Sequence, residues 1–265
     1  MAYGLVYDYL MGQSIEAYKY FGAHFENRDG VDGVVFRLYA PMASDVSVIG
    51  DFNGWSIYSH KMNKIDDSGV YELFVPGLSN YQSYKFHFRN ARGEYVDKID
   101  PYAFFSEIAP ATCSRLFNIE NFIWHDEEFM KNRNRNFDRP VSIYEMHLGS
   151  WLKKERFSSY EEVADVLIPY IKGMGFTHLE LMPIMAHPFL GSWGYQATGF
   201  YSVDPRYGNP HQLMSFVDRC HQAGIGVVFD FAPVHFATDP WALAEYDGSC
   251  LFEYSNEHRV SQWGS

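Results

Sequence analysis

Cysteine is scarce in this 265-residue chain: there are three, Cys113, Cys220 and Cys250, odd in number and far apart. That spacing makes neither a disulfide framework nor a Cys-x-x-Cys metal pair, and it points to a reducing, cytoplasmic setting. Positive charge is also in deficit. Lys and Arg number 21 against 33 Asp and Glu, a formal charge of −12, which argues against a polyanion such as nucleic acid as partner. The one basic run, "KNRNRNFDR" from Lys131 to Arg139, reads as a solvated linker. No apolar run approaches a membrane span, and no basic leader accompanies Asp8, Glu16 and Lys19. Neither membrane association nor a signal peptide is expected. His-x-x-x-His spacing is missing around His187, so no metal is assigned, and no cofactor either.

Aromatics are abundant instead, at 18% of residues, with 22 Phe, 20 Tyr and 6 Trp. They serve either a densely packed β-rich core or sugar binding, where flat rings stack on the apolar faces of pyranoses; the two are not exclusive.

The chain changes rhythm twice. "YDYLMGQSIEAYKYFGAHF" carries Tyr7, Leu10, Ile15, Tyr18 and Phe21 near helical spacing, predicting a helical segment over 1–24. From Gly33 the runs "VDGVVFRLYAP", "SDVSVIGDFNGW", "VYELFVPGL" and "SYKFHFRNARGEYV" are short and rich in β-branched and aromatic residues. Turn signals at Asp32-Gly33, Asn53-Gly54, Ser68-Gly69, Pro76-Gly77 and Arg92-Gly93 separate them. This predicts an all-β, immunoglobulin-like sandwich over 25–122. Residues 123–139 are charged and poor in apolar positions, and read as a linker.

Over 140–265 strands and helices alternate. "VSIYEMHLG", "FTHLELMPI" and "IGVVFD" are strand candidates; "SSYEEVADVLIPYIKGMG" and "NPHQLMSFVDRCHQAG" are helices. Ser158 or Ser159 caps the first helix, which tolerates Pro169, and Asn209 caps the second with Pro210 at its first position. Alternation of this kind means α/β with a parallel sheet. The glycine-rich turn of a dinucleotide fold is missing from "EMHLGSWLKKE". The long loop after the second strand fits the start, about three β/α units, of a TIM (β/α)8 barrel.

On a barrel the loops "HLGSW", "HPFLGSWGYQATGFYSVDPRYG" and "DFAPVHF" converge on one face. His147 reads as a hydrogen-bonded rim histidine, Trp151 and Trp193 as wedges between loops. Tyr195 sits in a loop where apolar packing is least needed, and the spacing of Asp230 and His235 allows a site pair.

Together, "YEMHLGSW", "GFTHLELMPIMAHPFLGSWGYQATGFYSVDPRYG" and "DFAPVHF" resemble the 1,4-α-glucan (glycogen) branching enzymes of glycoside hydrolase family 13, the α-amylase superfamily. "GDFNGW" with "DPYAF" resembles the carbohydrate-binding module family 48 sandwich that precedes such barrels. The resemblance implies an α-1,4-glucan substrate, glycogen or an amylose-like chain, and the formation of α-1,6 branches in glycogen biosynthesis. It implies that His235 hydrogen-bonds the sugar at the cleavage subsite, that Asp230 supports the network there, and that Tyr195 is a stacking platform with Gln196 beside it. Phe231 and Ala232 depart mildly from the family's pattern. Trp55 matches the module's tryptophan and stacks either on glucan or on the sandwich core.

A retaining reaction needs two carboxyl groups about 5–5.5 Å apart. In the family the nucleophile Asp follows the fourth strand, the acid Glu the fifth and a third Asp the seventh. This sequence closes on "SQWGS" after its third strand candidate, so no catalytic residue is assigned and the chain alone is expected to be inactive. A shortened chain, an incomplete gene and a split barrel completed by a second chain carrying its C-terminal half are the open alternatives. The competing functions are a non-catalytic glucan-binding protein and a debranching or amylase-type hydrolase.

Overall fold

A computed structural model describes residues 2–133, 138–152, 154–235 and 237–255. Residues 134–137 of the basic run, Phe236 of "DFAPVHF" and the closing "SQWGS" lie outside the described residues.

Helix α1 (Ala2–Leu10) ends where Gly12 takes a left-handed turn (φ 67°). The helix is shorter than the apolar spacing predicts, because Ile15 lies in solvent, 93% exposed. Tyr20 and Phe21 instead lead into a strand and pack with Val6, Val70 and Tyr102. That strand, β1 (Gly22–Arg28), forms a hairpin with β2 (Val31–Tyr39). Their turn uses Asp29 and Gly30, both at positive φ, and the expected turn at Asp32-Gly33 lies inside β2. Gly33 is needed there for a different reason: a Cβ would strike the carbonyl of Val75 and the ring of Phe74 across the ladder.

Strands β3 (Ser44–Gly50), β5 (Val70–Pro76), β6 (Ser83–Arg89) and β7 (Tyr95–Lys98) follow the predicted runs, while the two-residue strands β4 (Asn63–Lys64), β8 (Phe105–Ser106) and β9 (Ser114–Arg115) lie outside them. One antiparallel sheet has the order β1-β2-β5-β4, the other β3-β6-β9-β8 with β7 also on β6. Alternation puts Val34, Phe36 and Leu38 of β2 inside, against Val46 and Val48 of β3 and Tyr84, Phe86 and Phe88 of β6.

The linker holds one short helix, α2 (Glu127–Asn132). Two histidine–carboxylate pairs tie it down: His221 to Asp126 at 2.6 Å and His125 to Asp218 at 3.2 Å. Beyond it come β10 (Ile143–Met146), the single turn α3 (Leu148–Trp151), α4 (Tyr160–Gly173) and β11 (His178–Leu181). A hairpin of β12 (Met185–Ala186) and β13 (Gly199–Val203), then α5 (Pro210–Gln222) and β14 (Gly226–Phe229), complete the order.

Both long helices start on reciprocal caps. Ser159 accepts from the Glu162 amide while Glu162 accepts from the Ser159 amide, and Asn209 and Gln212 repeat the exchange. Pro169 sits inside α4 without ending it; it lies on the exposed side of the helix, as does Asp165, whose carbonyl it leaves without a helical donor. Val163, Leu167 and Ile171 of α4 and Leu213, Phe216 and Cys220 of α5 recur at helical spacing and cover Leu179 and Leu181. Strands β10, β11 and β14 pair in parallel in that order. The fold is thus an immunoglobulin-like sandwich followed by the opening β/α units of a barrel. No helix among the described residues is long and apolar enough to cross a membrane.

The two parts share a core. After β14 the chain returns to the sandwich and inserts Leu243 and Tyr246, both fully buried, among Phe88 and its neighbours. The Tyr246 hydroxyl donates to the Ile99 carbonyl at 2.7 Å, and Lys98 Nζ donates to the carbonyls of Ala242 and Ala244. Substituting Tyr246→Ala should therefore destabilise the sandwich by about 3–5 kcal/mol, as large-to-small core changes do. Urea unfolding followed by fluorescence and circular dichroism will show it; an unchanged midpoint would refute the shared core.

Candidate functional site

Parallel pairing sets the site. Met146, Leu181 and Phe229 are in register, so β10, β11 and β14 end level. The ladder runs one step further, Met182 N to Met146 O and Asp230 N to Leu181 O. His147, the loop after Met182 and Asp230 therefore leave the sheet on one rim. Alternation places Asp230 on the same face as Val228, whose registered partner is Glu180, itself paired with Glu145.

Tyr195 meets Asp230 on that rim. Its hydroxyl donates to Asp230 Oδ2 at 2.5 Å, a short charge-assisted bond between residues 35 apart in sequence. The bond to Asp230, then burial and the charges of Asp230, Glu145 and Glu180, push the phenol up to about 12. At neutral pH Tyr195 is thus a proton donor holding Asp230, with its ring half-exposed.

The hairpin β12–β13 brings Tyr195 there. The sequence of this stretch reads only as a loop, since the hairpin's register comes from tertiary contacts. At its base Arg206 grips Asp204, fully buried, with Nε at 2.8 Å from Oδ1. The same guanidinium lies 2.6 Å from His187 Nε2, while His187 Nδ1 donates to the Met185 carbonyl. Both nitrogens of His187 are engaged, and burial holds the ring below the usual histidine range, so it is neutral and accepts from Arg206. No group of three potential metal ligands occurs among the described residues. At the hairpin tip Gly194 (φ 92°) runs against Pro183, whose carbonyl a Cβ would strike; only glycine allows the turn into Tyr195.

The other expected residues fall as follows. Gln196 is half-buried next to Tyr195, and His235 is half-buried in left-handed backbone (φ 61°). His147 is a rim histidine as expected, bonded through Nδ1 to Ser150 Oγ at 3.0 Å and kept below the usual range chiefly by burial. Trp151 donates to the Tyr144 hydroxyl. Trp55 stands apart on the sandwich. It is 39% exposed and is not among the side chains of the sandwich core. Sequence reasoning missed the Glu145–Glu180 row; strand alternation in "YEMH" and "LELM" could have found it.

Substituting Asp230→Asn removes the anionic acceptor. The Tyr195 titration, isolated as the ultraviolet difference between Asp230→Asn proteins with and without Tyr195→Phe, should fall from about 12 toward 10. The bond's stabilisation is present below pH ~10 and lost as pH rises through the folded value. An unmoved titration would mean the phenol does not bond Asp230.

Comparison with known proteins agrees with this architecture. Residues 20–103 match Carbohydrate-binding module 48 (Isoamylase N-terminal domain), and residues 163–255 match Alpha amylase, catalytic domain. The chain is 45% identical over 264 residues to the 1,4-alpha-glucan branching enzyme GlgB of Desulfitobacterium hafniense, covering 98% of this chain and 41% of that protein. It is 44% identical to the enzyme of the same name from Bacillus subtilis, covering 97% and 42%. The chain thus spans about two fifths of the length of the curated relatives it matches. By structure it is similar to pullulanase type I from Bacillus subtilis, with TM-score 0.71 and 22% identity over 91% of this chain and 37% of that one. Pullulanase from Bacillus acidopullulyticus gives TM-score 0.66 and 20% identity over 86% and 31%. These two show the fold alone. Residues 20–103 are thus similar to carbohydrate-binding module 48, residues 163–255 to part of an alpha amylase catalytic domain, and the chain along its length to the 1,4-alpha-glucan branching enzymes.

Proposed function

We propose that these residues form the sugar-holding part of a 1,4-α-glucan branching enzyme in glycogen biosynthesis, acting on glycogen or amylose-like chains. The observation that carries this reading is the Tyr195–Asp230 pair on the rim of the parallel strands, in a chain 45% identical to a named branching enzyme. Its units are a sandwich that begins with β1 at Gly22, three residues before the expected boundary at 25, and runs to 122, and a barrel segment from 140, joined by 123–139. Free thiols at Cys113, Cys220 and Cys250 support a cytoplasmic setting.

Tyr195 offers its half-exposed ring to a glucose unit while its hydroxyl stays on Asp230. Asp230, Gln196 and His235 hold sugar hydroxyls. Trp55 takes a glucan chain on the sandwich. In the retaining reaction one carboxylate attacks the anomeric carbon as a second group protonates the departing glycosidic oxygen. The 6-hydroxyl of a second glucan then attacks the glucosyl-enzyme and returns its proton to that group, so one α-1,4 bond becomes one α-1,6 bond without water. Neither carboxylate role is given to a residue of this chain: Asp230 is engaged with Tyr195, and Glu145 and Glu180 are strand residues below the rim.

The 265-residue chain should bind maltoheptaose yet form no α-1,6 linkages from amylose, read from the anomeric proton spectrum. Tyr195→Ala should weaken binding roughly tenfold, the size of a lost aromatic contact. New α-1,6 signals would overturn the division of roles, and no binding would overturn the glucan reading. Loss of affinity in Trp55→Ala but not in Tyr195→Ala would favour a non-catalytic sandwich binder.

A further inference from the structure

Trp193 is poorly explained as a wedge between loops. Its side chain is 54% exposed, and its backbone is left-handed (φ 55°), a conformation that costs a residue with a Cβ. A chain selected only for stability would place glycine or asparagine there. What holds the ring is known: His147 stacks behind it, centroids 5.4 Å apart and planes 20° from parallel. His147 is itself fixed by Ser150 Oγ at 3.0 Å. One face of the indole is thus backed and the ring is braced where water would otherwise let it swing.

Trp55 is built the same way. Each tryptophan follows a three-residue 3-10 turn, Asp51–Asn53 or Leu190–Ser192, and each sits exposed at positive φ, 62° for Trp55. These are the only two tryptophans at positive φ among the described residues. Beside Trp193, Phe189 and Leu190 are also exposed, at 61% and 52%. A groove of about 440 Å³ continues from Leu190 and Pro188 past Phe157 and Arg206 to Ile108 of the sandwich.

We infer that Trp193, braced by His147, is a second stacking platform on the rim that receives a glucose unit of an α-1,4-glucan beside the Tyr195–Asp230 pair. A rigid apolar ring two residues from Tyr195, whose hydroxyl is bonded to the acceptor Asp230, fits a neutral polyhydroxylated ring, and the chain's charge of −12 disfavours an anion. The exposed Phe189 and Leu190 then lead the glucan along the groove toward the sandwich. His147 is a positioning residue, acting through the indole. The inference rests on the glucan reading proposed above.

The test is calorimetric titration of the full chain with maltoheptaose, with a melting curve for each variant. Trp193→Ala and Trp193→Gly should weaken binding roughly fivefold to tenfold, while Trp193→Phe keeps most of the affinity. Glycine accepts the left-handed backbone without penalty, so Trp193→Gly should melt no lower than the parent. His147→Ala, which removes the brace together with its bond to Ser150 and leaves the indole in place, should weaken binding by a smaller factor. Undiminished affinity in Trp193→Gly, or a melting temperature lowered along with it, would make Trp193 a structural wedge and overturn the inference. Failure of the parent to bind maltoheptaose would sink the glucan reading and this inference together; a binding parent with a binding Trp193→Gly would sink the inference alone.

Discussion

Everything at the site depends on three short parallel strands ending level. Met146, Leu181 and Phe229 share one register, and a slip of one residue would turn Asp230 and the Glu145–Glu180 row to the helix side. The register is set by what covers the other face. Leu167 and Ile171 of α4 and Phe216 and Cys220 of α5 are fully buried against Leu179 and Leu181. Each buried leucine, isoleucine or phenylalanine contributes about 1.5–3 kcal/mol on burial, and a slip would forfeit several at once.

The rim is then furnished by segments whose geometry is fixed from outside the sheet. Arg206, Asp204 and His187 close the base of the hairpin that carries Trp193 and Tyr195, so its tip is delivered to Asp230 with little freedom left. Leu243 and Tyr246 anchor the chain after Asp230 in the sandwich core. The sandwich is therefore more than an appended module: its core includes part of the loop that follows β14.

Local chemistry was legible where a signal and its partner lie close in sequence. The caps at Ser159 and Asn209, the tolerated Pro169, the three parallel strands and most sandwich strands could be read because period, cap and turn residues act over a few positions. Misplaced elements show what competes with such signals. The spacing of Ile15, Tyr18 and Phe21 looked helical, yet Tyr20 and Phe21 joined an aromatic cluster with Tyr102 and the chain turned to strand at Gly22. Asp32-Gly33 looked like a turn, yet the ladder needed a residue without Cβ. The pairing of Tyr195 with Asp230 was invisible to spacing, since the two come from different loops; only the family resemblance put both at one sugar. The brace behind Trp193 had no sequence signal at all, because His147 reaches it from another strand end.

The most direct test of the account is a crystal structure of this chain grown with maltoheptaose. A glucose ring should lie on Tyr195, with its hydroxyls within hydrogen-bond reach of Asp230. Sugar found only on the sandwich, at Trp55, with the Tyr195–Asp230 rim empty, would contradict it.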